Sequence, residues 1–211
     1  MLLRKLETLL HGLYGLDLGY AVDDFLITDA WLAGSLDGGG RKVDEKLLIA
    51  EADGEADVAL YLEQELLERL TRRDPLTRLD ADNLADFWAA LEGVSHFTYY
   101  AWNAARDKPV SLFELELQGE VDKFVATEML LRAQRREPHG LHGWLFDATT
   151  LDPDLDDEER ERYRRANRYA AKYCRRLKPA RDGADDAARQ RELRRFYRLS
   201  QRSKLAHIDA G

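Results

Sequence analysis

The stretch that most constrains this chain is residues 83–106, NLADFWAALEGVSHFTYYAWNAAR, in which apolar and aromatic side chains fall at nearly every angle of a helical wheel. Leu84, Phe87, Trp88, Leu91, Val94, Phe97, Tyr99 and Trp102 cannot share one side of a helix that turns about 100° per residue. A helix that is apolar all round is a central one, with other segments packed against it. Along it, Glu92, His96, Tyr100 and Asn103 recur at steps of four, four and three. They form one polar line through a segment that is otherwise dry.

Size and composition set the frame around that helix. With 211 residues, 45% of them hydrophobic, the chain has enough apolar material for one sizeable core or two small ones. A lone cysteine, Cys174, excludes an internal disulfide and suits a reducing compartment. The N-terminal leucines at 2, 6, 9 and 13 repeat at helical spacing, interrupted by Arg4, Lys5, Glu7 and His11. That pattern predicts an amphipathic helix rather than a secretion signal or a membrane span, and a cytoplasmic protein.

Charge is segregated. Residues 160–206 carry 17 Arg or Lys against 5 Asp or Glu, whereas residues 1–159 carry 15 against 34, which with Asp209 gives a formal net charge of −8. Either the basic end docks on the acidic body of the same or a second chain, or it meets an external polyanion.

Read in order, YAVDDFLIT at 20–28 predicts a strand, and 34–40 (GSLDGGG) a loop that lacks the lysine and hydroxyl of a phosphate-cradling motif. Apolar runs at 46–52 and 57–62 flank Asp53-Gly54, the signature of a hairpin turn. A helix over 63–73 follows. Ser111 with Glu114 three residues later fits a capping box opening a helix to about Arg136, although Phe113, Leu115 and Leu117 alternate with polar residues in the two-residue period of a strand. Acidic residues at 156–159 and basic ones at 172–178 bracket a third long helix in the sense that complements its dipole. A last helix is expected over 187–199.

The fold expected is therefore helix-dominated α+β. A small α+β part spans residues 1–79, with strands near 20–28, 46–52 and 57–62. A helical bundle with basic C-terminal helices spans 80–211.

Three constellations could carry chemistry. Glu92 and His96, joined by Glu120 from the next helix, could form a pocket in which a carboxylate fixes the tautomer of the imidazole and raises its pKa, as a general base or metal ligand requires. Tyr100, Asn103 and Asn167 would extend the same buried polar network, which could equally serve only to fix helix register. His139, His142 and Asp147 lie close together in a glycine-containing loop but match no zinc motif, and Glu92 and His96 are spaced Glu-x-x-x-His, once only, where a di-metal carboxylate site has Glu-x-x-His on two helices, so no metal or other cofactor is expected. Arg160, Arg164, Arg168, Lys172 and Arg176 step by four into a basic edge about 24 Å long, and Arg194 and Arg198 lie on the following helix. Ser95 adjoins His96, but neighbours on a helix point about 100° apart, so they make no nucleophilic pair.

The preferred functional expectation is a non-enzymatic module that holds an acidic protein surface or a second copy of itself on its arginine-rich helices. Nucleic acid is a less favoured partner, since no recognition motif supports it. The alternative is a small-molecule hydrolase working through His96, Glu92 and Glu120.

Overall fold

A computed structural model describes residues 2–38, 43–52, 55–148, 151–177 and 183–210. The fold is helix-dominated α+β. The elements are α1 (Leu2–Tyr14), a 3-10 turn (Val22–Phe25), β1 (Leu26–Ile27), α2 (Ala30–Leu36), β2 (Glu45–Ala52), β3 (Glu55–Leu62), α3 (Gln64–Arg72), α4 (Leu84–Ala104), α5 (Leu112–Ala133), a π-helical turn (Gly143–Asp147), α6 (Asp157–Arg176), α7 (Gly183–Arg198) and α8 (Gln201–Asp209). No described helix is long and apolar enough to cross a membrane.

α4 is the centre of the molecule. Phe87, Ala90, Leu91 and Val94 are fully buried on it, and Phe97, Tyr99 and Trp102 nearly so. Each large side chain of this kind contributes roughly 1.5–3 kcal/mol by leaving water. One core cluster gathers α1, β3, α3, α4, α5, α6, α7 and α8. The capping box at Ser111 is complete: Ser111 Oγ accepts from the Glu114 amide while the Glu114 carboxylate accepts from the Ser111 amide. Asp156 and Glu159 do the same at the start of α6.

The three-stranded sheet runs in the order β1-β3-β2. β2 and β3 are antiparallel from Glu45 opposite Leu62 to Ala52 opposite Glu55, and β1 pairs in parallel with Leu60 and Tyr61 of β3. The Asp53-Gly54 turn falls outside the described residues, as does part of the glycine-rich loop. Gly93 on α4 sets how near the sheet comes: a Cβ there would meet Leu60 Cδ1 at 3.0 Å and Glu45 Oε2 at 3.3 Å. Because it has none, the first residue of β2 reaches the polar line of α4.

Three sequence expectations need correction. The strand over 20–28 shrinks to Leu26–Ile27, because the Val22 amide is taken by Glu7 and Asp23 pairs with Arg4, tying its first half to α1. Ala30–Leu36 is a helix that enters the expected loop, capped by the Asp29 carboxylate. The helix expected from Ser111 is present as α5, and the alternation at 113–118 marks no strand. It reflects a helix buried on every side, where Glu114, Glu116 and Gln118 are as enclosed as Phe113, Leu115 and Leu117. The basic end holds two helices rather than one, α7 from Gly183 and α8, the latter capped by Ser200.

Candidate functional site

The seam between α4 and α5 carries a ladder of polar pairs. Trp88, Glu92 and His96 rise along α4 in steps of four while Thr127, Lys123 and Gly119 descend opposite them on α5, the register of two antiparallel helices. Trp88 Nε1 donates to Thr127 Oγ1 at 2.9 Å, and Lys123 Nζ donates to Glu92 Oε2 at 3.2 Å. At the third rung a Cβ on residue 119 would lie 3.1 Å from His96 Nε2. The missing side chain leaves the space that the imidazole occupies.

Other elements close around His96. Glu45 at the start of β2 places Oε1 3.4 Å from His96 Nδ1, and Glu116 on α5 places Oε2 4.0 Å from Nε2. Glu120 holds the other side of Lys123 at 2.6 Å. From α6, Arg162 brings Nε to 3.8 Å from Glu116 Oε1, with its guanidinium over the Tyr163 ring. The side chains of His96 and Glu116 are each 9% exposed and those of Arg162 and Glu92 are 17% and 20%, so the mouth of the cluster lies at Arg162 and Glu92.

Four buried polar atoms here have no hydrogen-bond partner: Glu45 Oε2, His96 Nε2, Glu120 Oε2 and Arg162 Nε. Buried polar groups are almost always paired, so four in one place call for an occupant or a function. The electrostatics agree. Burial disfavours the charge on His96, but Glu45, Glu116 and Glu92 outweigh it and push its pKa up to about 9. Burial raises Glu116 to about 7, against the pull of His96. Glu45 and Glu120 are also raised by burial, whereas on Glu92 the charges of Lys123 and His96 overcome burial and hold the carboxyl below its usual range. Lys123 stays charged because Glu120 and Glu92 outweigh the cost of burying it.

Four carboxylates thus face two permanent cations, Lys123 and Arg162. A divalent ion beside a neutral imidazole would bring the group to zero. The donor set suits one: among the described residues, the ligand atoms of Glu92, His96 and Glu116 are the one group of three that lie within 4.8 Å of one another. A tetrahedral ion with bonds of about 2.1 Å spaces its ligands about 3.4 Å apart, so rotations of about an ångström would close the set. Glu45 supplies the outer support that metal-bound histidines normally have, a carboxylate on the other ring nitrogen that fixes the tautomer.

The sequence reading found Glu92, His96 and Glu120, which the fold brings together. It missed Glu45, Glu116, Lys123, Arg162 and Tyr163. One signal could have found Glu116: Glu116 and Glu120 repeat on α5 the four-residue step of Glu92 and His96 on α4. Tyr100 is buried one turn beyond His96, and Asn167 lies half-buried on α6. Asn103 serves its own helix end, its amide donating to the Tyr99 carbonyl at 2.8 Å. Ser95 points away from His96 and donates to Asp122 at 2.6 Å, in a separate buried network with Tyr14 and Gln118. His142 Nε2 meets the Ala171 carbonyl at 3.0 Å and its ring packs near Phe146, while His139 and Asp147 are exposed.

The basic helices are largely engaged within the chain. Arg160 pairs with Asp157 and donates to the Leu155 carbonyl, Lys172 pairs with Asp209, and Arg176 donates to the His207 carbonyl. Arg194 donates to the carbonyls of Gly12 and Leu13, and Arg198 to those of Tyr14 and Gly15. Carbonyls at a helix C-terminus lack intrahelical partners and carry partial negative charge, so the end of α1 is a natural seat for these two arginines. Arg164 and Arg168 are exposed, and neither forms an ion pair among the described residues.

Comparison with protein-family models, with curated proteins and with solved structures returned no match.

Proposed function

We propose that this chain is a metal-dependent hydrolase built on one divalent cation held by Glu92, His96 and Glu116. The observation that carries this reading is His96 Nε2, buried without a hydrogen-bond partner 4.0 Å from Glu116 Oε2, on a ring whose Nδ1 is backed by Glu45 and whose ligand atom lies within 4.8 Å of those of Glu92 and Glu116. Three protein ligands leave a coordination position open, the mark of a catalytic rather than a structural centre. One nitrogen and two carboxylate oxygens suit Mn²⁺, Fe²⁺ or Zn²⁺.

Held by these three residues, such an ion would supply a bound water acidic enough to serve as a nucleophile near neutral pH. Glu120, which shares Lys123 with Glu92 and has a buried oxygen without a partner, would be the base that takes that proton. Lys123 holds Glu92 and Glu120 at a fixed separation. Incubation with Mn²⁺ or Zn²⁺ followed by removal of excess ion tests the reading: one ion per chain is expected, lost in His96→Ala. A wild-type chain that retains no ion would refute it.

Arg164 and Arg168 support a second reading, a contact surface for an acidic partner on the outer face of α6. Arg164→Glu with Arg168→Glu should abolish a salt-sensitive association and leave the fold intact. Binding indifferent to salt would count against it.

A further inference from the structure

The two cations of the cluster are not equivalent. Lys123 is fully used, its ammonium sitting between Glu120 at 2.6 Å and Glu92 at 3.2 Å. Arg162 is not. Its nearest carboxylate oxygen in the cluster is 3.8 Å from Nε, beyond hydrogen-bond reach, and Nε is buried with no partner. Arg162 also stands with Glu92 at the more exposed edge of the cluster, where a substrate must enter.

Resting on the metal-centre reading, we infer that Arg162 is a substrate-binding residue that receives an oxyanion, so that the site acts on molecules carrying a phosphate or carboxylate group. A guanidinium offers paired donors in a planar fork that matches either group. With the ion in place the cluster is neutral rather than anionic, which removes the repulsion that four carboxylates would otherwise exert on such a substrate. Tyr163, next to Arg162 on α6, is half-buried with its ring centre 5.5 Å from the Arg162 guanidinium carbon.

The test uses inorganic phosphate and acetate as probes on the Mn²⁺-loaded full chain, followed by calorimetry and, for phosphate, by Mn²⁺-induced ³¹P relaxation. Phosphate or acetate should bind at least tenfold more weakly to Arg162→Met and to the chain stripped of ion. Arg162→Lys should keep part of the affinity, and both variants should retain Mn²⁺. Tighter binding of phosphate identifies a phosphoryl substrate, and tighter binding of acetate a carboxylate one. Equal affinity in wild type and Arg162→Met, or none for either anion in the Mn²⁺-loaded wild type, would overturn the inference while leaving the metal centre standing. A wild-type chain that takes up no Mn²⁺ would overturn both.

Discussion

Gly119 and His96 meet so closely that a single methyl group on residue 119 would stand 3.1 Å from Nε2 of the imidazole. Glycine inside a helix costs about 0.5–1 kcal/mol relative to alanine. Here that cost leaves room for a histidine between α4 and α5, with Nε2 4.0 Å from Glu116 and Nδ1 3.4 Å from Glu45.

The first prediction uses this contact. Gly119→Ala gains helix propensity and loses space, so its net change in stability should stay within about 1–2 kcal/mol. Metal affinity should fall at least tenfold, because the ring is displaced from its ligand position. Thermal melting and Mn²⁺ titration measure the two separately. Unchanged affinity would place the ion elsewhere.

Metal uptake should release protons. His96, held at about 9 by the carboxylates that outweigh its burial, and Glu116, raised by burial to about 7, carry protons near pH 7 that a bound cation must displace. Calorimetry in two buffers of different ionisation enthalpy should therefore report net proton release. His96→Ala should bind at least a hundredfold more weakly, and Glu116→Gln at least tenfold. A binding heat that does not depend on buffer would exclude this proton exchange.

In the metal-free chain the contribution of His96 to stability should fall as pH rises. His96 holds its proton more tightly folded, at about 9, than unfolded, at 6.5. Its contribution is fully present below pH 6.5 and is lost as pH climbs through 9, with a ceiling of about 3 kcal/mol. Lys204, pushed down to about 7 by burial, works the other way: its depressed pKa favours the folded state increasingly between pH 7 and 10.5. The difference between wild type and His96→Gln in denaturant melts isolates the histidine. A constant difference from pH 6 to 9.5 would show that no tightly held proton resides there.

Two classes of arginine should separate in mutagenesis. Arg198→Ala removes the donor to the carbonyls of Tyr14 and Gly15 and a cation placed 5.5 Å from the Trp102 ring centre. It should destabilise the chain by about 1–3 kcal/mol. Arg164→Ala, on an exposed face, should change stability by less than about 0.5 kcal/mol. Equal effects would mean that the seat of α7 on α1 contributes little.

Local chemistry was legible from residues alone. Leucines at helical spacing made α1, Ser111 with Glu114 opened α5, Asp156 with Glu159 opened α6, and paired apolar runs made the hairpin, because each signal acts over a few residues of backbone. The all-round apolar character of residues 83–106 also fixed the central place of α4. That required only that its large side chains leave water.

Tertiary structure decided the rest. The sequence placed a glutamate four residues before His96 but could not say that Glu45 would arrive from a strand, since that depends on how closely the sheet approaches Gly93. It offered Arg162 as one basic residue among many, and only the packing of α6 on α5 sets its guanidinium beside Glu116. The alternation at 113–118 competed with the helix signal because a two-residue period signals one-sided burial, whereas these six residues are enclosed on every side of α5. Helical spacing determines which side chains share a face. Which faces meet, and which buried atoms are then left without partners, is settled only when the whole chain packs.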